Sequence, residues 1–471
     1  MKTTTRKATA TMLATGLFAF SSAAMATNGY FTHGVGTESK GMGGTGVGSS
    51  SNMGAISAAT NPALAVFADE KWQVGLSAFS PMRSHTTSQS FANGQGGAFT
   101  LSQGSHDSKN ELFPNPYVGK NWKLSDDKAI TMVFYGRGGM NTEWDSGQTV
   151  MTDPTGQGGK PATLPGLYGG GAFGPGFGVA GVDLMQAFLS VNYASKVNDN
   201  FAWGIGPVVA VQSFEATGLG MFSGYSETFA QAFLGNGMGA PVPHLTNNGH
   251  EMSVGYGASA GIWAGNDKLS FGLAYQTKMS MGEFDDYADL YAQRGGFDIP
   301  STLKAGISYR ASDAVTVNLD IEHIGYSDID SIANPIMNLL TGCFTANPMV
   351  APATHGCLGG PSGAGFGWDD MTIYKTGFEW ATNDTNTWRA GYSYGKQPIP
   401  NTEVLFNILA PGVIEHHFTV GWTGERAGGN VMSMSLMYAP SKTVTGTNTF
   451  DPTQTIEIEM SQLEFEFAYR F

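Results

Sequence analysis

Few residues of this sequence combine a type and a spacing that would support chemistry. The stretch Gly41–Gly46 matches the GxGxxG pattern of dinucleotide-binding loops, but no strand precedes it to build the βαβ unit that such a loop needs. Gly391–Gly395 matches the GxSxG pattern of hydrolase elbows, yet its serine lies within a predicted strand rather than at a strand-to-helix turn. A chain with 66 glycines produces such matches by chance. The sequence therefore predicts no catalytic site and no cofactor.

Two further groupings raise the question of metal binding. A cluster of acidic residues in a predicted loop could offer oxygen ligands to Ca²⁺, or it could be a solvated loop that divalent ions bridge to lipopolysaccharide: Glu283, Asp285, Asp286 and Asp289. His416 and His417 are adjacent in a predicted strand, so their side chains point to opposite faces and cannot chelate one ion together. We favour the solvated loop and predict no metal site.

The two cysteines, Cys343 and Cys357, lie in a stretch rich in Gly and Pro. In an exported protein, a pair so placed is expected to form a disulfide that closes one loop. Two free thiols are the alternative.

The composition indicates a membrane protein built from strands. Charged residues make up 13% of the chain, about half the usual share of ~25%. Mean hydropathy is nevertheless near zero, at −0.12, and beyond the N-terminus no apolar run approaches the ~18 residues of a spanning helix. Apolar residues spread so thinly are typical of a transmembrane β-barrel. The formal net charge of −14 argues against nucleic acid as a partner.

The N-terminus resembles an export signal. Lys2, Arg6 and Lys7 precede the apolar run Met12–Phe20, and Ala24-Met25-Ala26 forms a cleavage site of small residues. Residues 1–26 are therefore predicted to be a signal peptide.

From Lys71 onward, short turns rich in Asn, Asp and Gly alternate with long loops. The short turns are predicted at 125–127, 198–200, 265–267, 311–313, 383–385 and 427–430. The long connections are predicted near 82–111, 140–180, 219–249, 284–298, 329–367, 397–412 and 443–454. Together they join fourteen antiparallel strands, an even number with short turns on one side, as in outer-membrane barrels.

The C-terminal segment shows the clearest strand alternation. Apolar side chains at one parity face polar ones at the other: Leu463, Phe465, Phe467, Tyr469 and Phe471 against Gln462, Glu464, Glu466 and Arg470. Upstream, Ile456, Ile458 and Met460 have the opposite parity, which predicts a bulge or strand end near Ser461.

The segment before the first strand carries a family resemblance. Tyr30 and Phe31 are followed by the glycine-rich stretch and by Asn61-Pro62-Ala63, and a Gly136-Arg137-Gly138-Gly139 interruption lies in the third predicted strand. This order resembles the long-chain fatty-acid transporter (FadL-type) family of outer-membrane proteins. The resemblance implies that residues 27–70 form a hatch inside a barrel of residues 71–471. It also implies that the interruption kinks the third strand and opens the barrel wall sideways.

The function implied by the resemblance is passive uptake of hydrophobic molecules through the bacterial outer membrane, with long-chain fatty acids as the first choice of cargo. Neutral hydrocarbons or monoaromatics are the alternative, followed by a general porin or a barrel enzyme. The implied partners are the cargo, outer-membrane lipid and lipopolysaccharide, and the barrel assembly machinery during insertion.

Two long loops are predicted to form an apolar groove for this cargo. Their apolar residues are Leu164, Leu167, Tyr168, Phe173 and Phe177 in the first loop, and Tyr225, Phe229 and Phe233 in the second. The second set recurs at a spacing of four, which predicts a helix capped by Ser223 or Ser226 and ended by Gly235. Simple packing of the two loops against each other is the alternative.

The sequence departs from the family where basic side chains should hold a fatty-acid carboxylate. Ser213 and Gly218 stand near the expected arginines, which leaves His323 or Arg137 as candidates. A pocket without a cation would favour neutral cargo.

Overall fold

A computed structural model describes residues 27–51, 54–152, 160–174, 176–344, 354–426 and 428–471. Within these residues, fourteen long antiparallel strands pair with their chain neighbours, and the last pairs with the first to close a barrel. These strands are β1 Trp72–Thr87, β2 Phe113–Ser125, β3 Lys128–Trp144, β4 Ala180–Asn198, β5 Phe201–Thr217, β6 Glu251–Gly265, β7 Leu269–Gln276, β8 Thr302–Arg310, β9 Val315–Ile324, β10 Met371–Asn383, β11 Asn386–Gly395, β12 His416–Glu425, β13 Val431–Asn448 and β14 Asp451–Arg470.

Shorter elements occupy the hatch and the long loops. The additional strands are Thr100–Leu101, Gly104–Asp107, Gln148–Thr152, Pro161–Pro165 and Ser280–Met281. The α-helices are Thr37–Lys40, Glu227–Asn236, Ala292–Gly295, Asp330–Ala333, Asn338–Thr341 and Val404–Asn407. The 3₁₀ helices are Ala55–Ala59, Pro62–Val66, Gln95–Gly97, Gly170–Phe173, Gly220–Tyr225, Asp285–Tyr287 and Tyr326–Asp328. No helix within the described ranges is long and apolar enough to traverse a bilayer.

The short turns lie at one end of the barrel and the long loops at the other, as expected for periplasmic and extracellular ends. All six predicted short turns join consecutive strands, although Ala427 in the last of them lies outside the described residues. The signal peptide predicted for residues 1–26 also lies outside the described residues.

Strand β14 corrects one expectation. It crosses the wall without a break at Ser461, and its ladder with β1 is regular from Gln73 opposite Arg470 to Thr87 opposite Ile456. The irregularity lies on the other neighbour, where β13 carries an extra residue between Ala439 and Lys442. The bulge near Ser461 therefore lies in β13, opposite Ser461, and not in β14 itself.

The surroundings of β14 change along its length, and this explains its switch in polarity. Near the periplasmic end, Leu463 and Phe465 are exposed on the outer face, while Glu464 and Glu466 point into the lumen. Toward the loops the inward residues become apolar, including Met460. The same set of β14 residues therefore faces the lumen along the whole strand. At the periplasmic end, the outer face contacts lipid and the lumen is polar. At the extracellular end, the outer face contacts water and the lumen is apolar.

The N-terminal segment fills the lumen as a hatch, with most of residues 27–68 buried. Asn61 caps the 3₁₀ helix Pro62–Val66 by accepting a hydrogen bond from the Ala63 amide, and it donates to the carbonyl oxygens of Val47 and Ile262 at 2.9 and 3.0 Å. The barrel wall leaves room for this backbone. A Cβ atom at Gly391 would collide with the Met42–Gly43 peptide, so glycine is required for the close approach.

Buried ion pairs fix the middle of the hatch to β14. The Lys40 ammonium lies 2.5 Å from Glu464 and 2.6 Å from Glu466, and all three side chains are buried. Thr37 adds a 2.7 Å hydrogen bond from its hydroxyl to Glu466. Because a lone buried carboxylate is costly, these contacts couple the hatch strongly to the wall.

Candidate functional site

The barrel wall is interrupted between β2 and β3. Their ladder runs from Ser125 opposite Lys128 to Tyr117 opposite Tyr135, and there it ends. Beyond this point β2 continues along β1 as far as Phe113, while β3 continues along β4 as far as Trp144. Because β2 and β3 stop pairing half-way up the wall, an opening lies between residues 113–116 of β2 and residues 136–140 of β3.

The β3 border of the opening is shaped by a bulge. The register with β4 shifts between Gly136 and Gly138, so that Arg137 is an extra residue. Its side chain turns into the lumen and is 4% exposed. A Cβ on Gly138 would have to displace the end of the Gln186 side chain and would come close to the Tyr30 ring.

The β2 border lacks two hydrogen-bond donors. Pro114 and Pro116 have no N–H group, and successive strand residues direct their N–H groups alternately to the two neighbouring strands. The ladder with β1 is uninterrupted through this stretch, so it must use the donors of Phe113, Asn115 and Tyr117. The donors that the prolines remove are therefore those that would face β3.

The hatch closes the opening from inside. Phe31 forms an antiparallel bridge with Gly138. The Thr32 amide donates to the Arg137 carbonyl oxygen at 2.9 Å, and the Gly139 amide donates to the Tyr30 carbonyl oxygen at 3.0 Å. The hatch thus satisfies backbone groups of β3 that β2 leaves free, as burial within a membrane requires.

The segment before β2 forms the extracellular border of the opening. The Lys109 amide donates to the Glu143 carbonyl oxygen at 2.9 Å, and the Glu143 amide donates to the Ser108 hydroxyl at 3.0 Å. The Asn110 side chain donates to that of Asn141 at 2.7 Å. The opening is therefore a bounded window in the wall.

Behind the window, three cations surround one carboxylate. Glu322 lies 2.6 Å from the Lys375 ammonium, 3.5 Å from that of Lys304 and 3.7 Å from the Arg137 guanidinium. Arg137 also donates to Thr302 at 2.9 Å, and its guanidinium stacks over the Phe31 ring at 4.6 Å. The sequence had suggested a lumen poor in cations; it missed Lys304 and Lys375 because their inward direction depends on the register of β8 and β10.

Above the hatch lies a small, partly open apolar pocket. Its lining carries no charged side chain: Val182, Leu219, Phe222, Leu290, Tyr291, Ser331, Leu358, Ala364, Gly365, Phe366, Phe406 and Leu409. Burial raises the pKa of Tyr291 well above its usual value, which keeps this phenol neutral.

Aromatic rings connect this pocket to the window. The Tyr291 ring lies 4.8 Å from that of Phe297, which lies 6.2 Å from Tyr30, and Tyr30 lies 4.9 Å from Phe31. Tyr30 and Phe31 are fully buried or nearly so. The hatch residues that close the window are therefore the ones that separate it from the pocket.

Residues 176–425 match the model of the family described as outer membrane protein transport protein (OMPP1/FadL/TodX), and this span is more than half of the chain. The chain belongs to this family. It is an outer-membrane transport protein with the barrel fold of channels for hydrophobic substrates.

Solved structures with the same fold agree over nearly the whole chain. The Pseudomonas putida toluene transporter TodX aligns with a TM-score of 0.57 at 15% identity, covering 93% of this chain and 98% of that one. A Pseudomonas aeruginosa FadL homologue aligns with a TM-score of 0.59 at 15% identity, covering 94% of this chain and 99% of that one. At this identity the likeness concerns the fold alone. A comparison with curated protein sequences found no match.

The predicted loop groove is divided in this family member. Leu167 and Tyr168 are buried in the interior, where the Tyr168 hydroxyl donates to the Leu405 carbonyl oxygen at 2.7 Å. Phe173 and Phe177 remain exposed, and Leu164 lies on the strand Pro161–Pro165. The first loop therefore contributes partly to the interior and partly to the surface.

The second loop forms the predicted helix, over Glu227–Asn236. Ser226 caps it, with its side chain accepting from the Phe229 amide, and Gly237 rather than Gly235 ends it in a left-handed conformation. Phe229 and Phe233 stack with each other and contact Phe344. The neighbouring Tyr225 instead contacts Phe450, so the predicted stripe splits at the helix start.

The remaining candidate groups have structural partners. A disulfide joins Cys343 to Cys357 and packs against Ala230 of the same helix. His323 is exposed on the outer side of β9 and bonds to Thr372, so it cannot bind a lumenal ligand. In the acidic loop, Asp289 pairs with Arg294 at 3.0 Å, and no described residues form a cluster suited to a metal ion.

Proposed function

We propose that this protein takes up long-chain fatty acids, and related hydrophobic molecules, by passive lateral transfer into the outer membrane. The observation that carries the proposal is the window between β2 and β3, which the hatch residues Tyr30–Thr32 close from inside. A closed ladder would leave no sideways route, because backbone groups within the membrane must all be paired.

Capture begins at the exposed aromatic side chains of the long loops. Phe173, Phe177 and Phe233 offer apolar surface outside the membrane, where an alkyl chain gains about 0.8 kcal/mol for each methylene removed from water. We propose that the exposed part of the groove predicted from the sequence acts at this step, while Leu167 and Tyr168 lie beneath it in the interior. The pocket above the hatch then receives the cargo.

Exit requires the hatch N-terminus to move. Two backbone hydrogen bonds and the contacts of the Phe31 ring hold it against β3. Cargo in the pocket contacts Tyr291 and can displace the series of contacting aromatic rings that runs from Tyr291 to Phe31. Release into the bilayer is favourable for an alkyl chain, so transport needs no energy source.

Two observations bear on the cargo. The three cations around Glu322 give the lumen behind the window an excess of positive charge, which supports an anionic cargo. The pocket itself lacks charged side chains, which favours neutral hydrocarbons or monoaromatics as the alternative. TodX is named as a toluene transporter, and that name supports the same alternative.

The lumen argues against the other two classes of function. The buried hatch leaves little room for the water-filled channel of a general porin, so we expect low conductance in planar bilayers. We also propose that the protein catalyses no reaction. Incubation with lipid or peptide substrates is expected to show no turnover.

We further propose the partners expected from export. The barrel assembly machinery would recognise the C-terminal strand, whose outward residues end at Phe471, and lipopolysaccharide would surround the extracellular rim. Residues 1–26 would direct export, residues 27–70 would act as hatch and residues 71–471 as barrel.

A disulfide across the window tests the proposal. Phe31 and Gly138 are opposite each other, and the two flanking hydrogen bonds mark them as a non-hydrogen-bonded pair, whose Cα atoms lie about 4.5 Å apart. The double variant Phe31→Cys/Gly138→Cys should bind oleate normally but lose its uptake into cells. Reductant should restore uptake.

Phe31→Cys and Gly138→Cys alone serve as controls, as does the wild-type protein with reductant, since reductant also opens the native disulfide. Normal uptake by the locked variant would show that cargo leaves past the hatch into the periplasm. Failure of the wild-type protein to take up any hydrophobic probe would refute the proposed function as a whole.

A further inference from the structure

The extracellular loop between β7 and β8 contains a strained turn, Ala292–Gly295, which we call the clasp. Gln293 and Arg294 have backbone φ angles of 57° and 62°, and Gly295 follows at 103°. Only glycine adopts this left-handed region freely, because a Cβ atom there comes too close to the following carbonyl oxygen. Among the described residues, Gln293 and Arg294 are the only consecutive pair other than glycine with positive φ. The clasp therefore stores backbone strain at two adjoining positions.

Backbone contacts from another loop hold the clasp in this conformation. The Gln293 amide donates to the Gly360 carbonyl oxygen and the Arg294 amide donates to that of Gly359, both at 3.0 Å. Glycine is required at position 359, since a Cβ atom there would lie 2.5 Å from the Ala288 carbonyl oxygen. The loop between β9 and β10 thus fixes the strained backbone, and strain of this kind persists only where the surroundings fix it.

The two side chains extend the clasp to further segments. The Gln293 side chain donates to the Asp330 carboxylate. The Arg294 guanidinium lies 3.0 Å from the Asp289 carboxylate and donates to the Thr228 hydroxyl at 3.3 Å. Thr228 belongs to the helix in the loop between β5 and β6. One turn of four residues therefore joins three extracellular loops.

The same three loops line the apolar pocket. Tyr291 directly precedes the clasp, Leu358 directly precedes the two glycines that bind it, and Ser331 follows the carboxylate that the Gln293 side chain binds. Phe222 comes from the loop between β5 and β6. Because the pocket is small, an alkyl chain can enter it only when these loops separate. Separation of the loops breaks the contacts of the clasp.

We propose that the clasp is the gate of the apolar pocket, and that its backbone strain makes it easier to open when cargo enters. This inference rests on the proposed uptake function and adds an entry step at the extracellular end, separate from the window. When the clasp opens, Gln293 and Arg294 leave the left-handed region, and the relief of strain offsets part of the lost hydrogen bonding. Opening also frees Tyr291, the first of the rings that lead to Phe31.

The test compares two substitutions at position 293 of the full chain. Gln293→Gly and Gln293→Ala both remove the side-chain hydrogen bond to Asp330, but only glycine relieves the left-handed strain. Amide hydrogen exchange over residues 290–296 should be about threefold slower, or more, in the glycine variant than in the alanine variant, because relief of strain favours the closed clasp. The initial rate of oleate uptake into cells at subsaturating concentration should be lower by a similar factor.

Asn93→Gly is the matched control, because Asn93 has a φ of 45° at an exposed position in the loop between β1 and β2, away from the pocket lining. It should leave oleate uptake unchanged. Equal exchange or equal uptake in the two Gln293 variants would overturn the inference while leaving the uptake function intact, and so would faster uptake in Gln293→Gly. If the wild-type protein takes up no hydrophobic probe, the proposed function itself fails.

Discussion

Two seams of this barrel are built in opposite ways. The seam between β14 and β1, which joins the two ends of the barrel chain, is paired without interruption from Gln73 to Thr87. The seam between β2 and β3 is paired only as far as Tyr117 and Tyr135, and prolines and glycines border the rest. Both seams belong to one continuous sheet, so the opening at the second seam is caused locally by a few residues.

The hatch is attached differently at each seam. At β14, the buried Lys40 ammonium binds two carboxylates, and breaking this ion-pair group would leave a buried charge without a partner. At β3, Tyr30 and Thr32 make two backbone hydrogen bonds, each worth about 0.5–1.5 kcal/mol and readily exchanged. The comparison indicates a hatch with one fixed side and one movable side.

The largest effect is expected from breaking the fixed side. Lys40→Met should leave Glu464 and Glu466 buried without a cation, at a cost of roughly 3–5 kcal/mol. The hatch should then detach while the barrel remains paired. Protease susceptibility of residues 27–68 and conductance in planar bilayers should both rise.

Neutralising the whole group provides the control for this prediction. Lys40→Met combined with Glu464→Gln and Glu466→Gln leaves no buried charge, so hatch protection should largely return. Conductance equal to wild type in Lys40→Met alone would contradict the fixed-side interpretation.

The next effect is expected from repairing the open seam. Pro114→Thr/Pro116→Thr restores two donors facing β3, worth about 1–3 kcal/mol together. When the hatch N-terminus leaves, β2 and β3 should then pair with each other, and uptake of oleate should fall about tenfold or more. Heat stability measured by gel migration should stay the same or rise.

A proline elsewhere in the wall provides the comparison. Pro207 lies within β5 opposite Ala258 of β6, and the ladder with β4 keeps the same register on either side of it, at Val208 and Ile205. Pro207→Thr should therefore leave uptake unchanged. Wild-type uptake in the double proline variant would mean that the glycines of β3 alone keep the window open.

The smallest effect is expected far from both seams. The disulfide closes a short extracellular loop, and in the chain-entropy model such a bond stabilises by about 3 kcal/mol. Cys343→Ser/Cys357→Ser should loosen the loop against the helix Glu227–Asn236 while the strand ladders keep the barrel folded. Uptake should change less than about twofold; a large loss would give the loop a direct part in capture.

Several features of the fold could be predicted from the sequence because they depend on local chemistry. The turn residues around Asn198 and Asn383 mark the short connections, which set the number of strands. Ser226 followed by a spaced aromatic run indicated the loop helix. Strand alternation in β14 correctly separated Phe465 from Glu464.

Other features depended on contacts between distant segments. The switch of polarity in β14 looked like a bulge at Ser461, because sequence alone does not show where lipid gives way to water. Tyr168 looked like a groove residue, although the folded loop buries it against Leu405. Lys304 and Lys375 reach Glu322 only through the pairing of β8, β9 and β10.

By itself the sequence determined the barrel class, the strand number and the glycine interruption in β3, since each arises from residue periodicity or backbone chemistry within a short segment. The hatch was implied by the family resemblance. Only the tertiary structure decided that Pro114 and Pro116 face that interruption and that Phe31 closes the window. Those relations join residues that are far apart in the chain, and strand register alone brings them together.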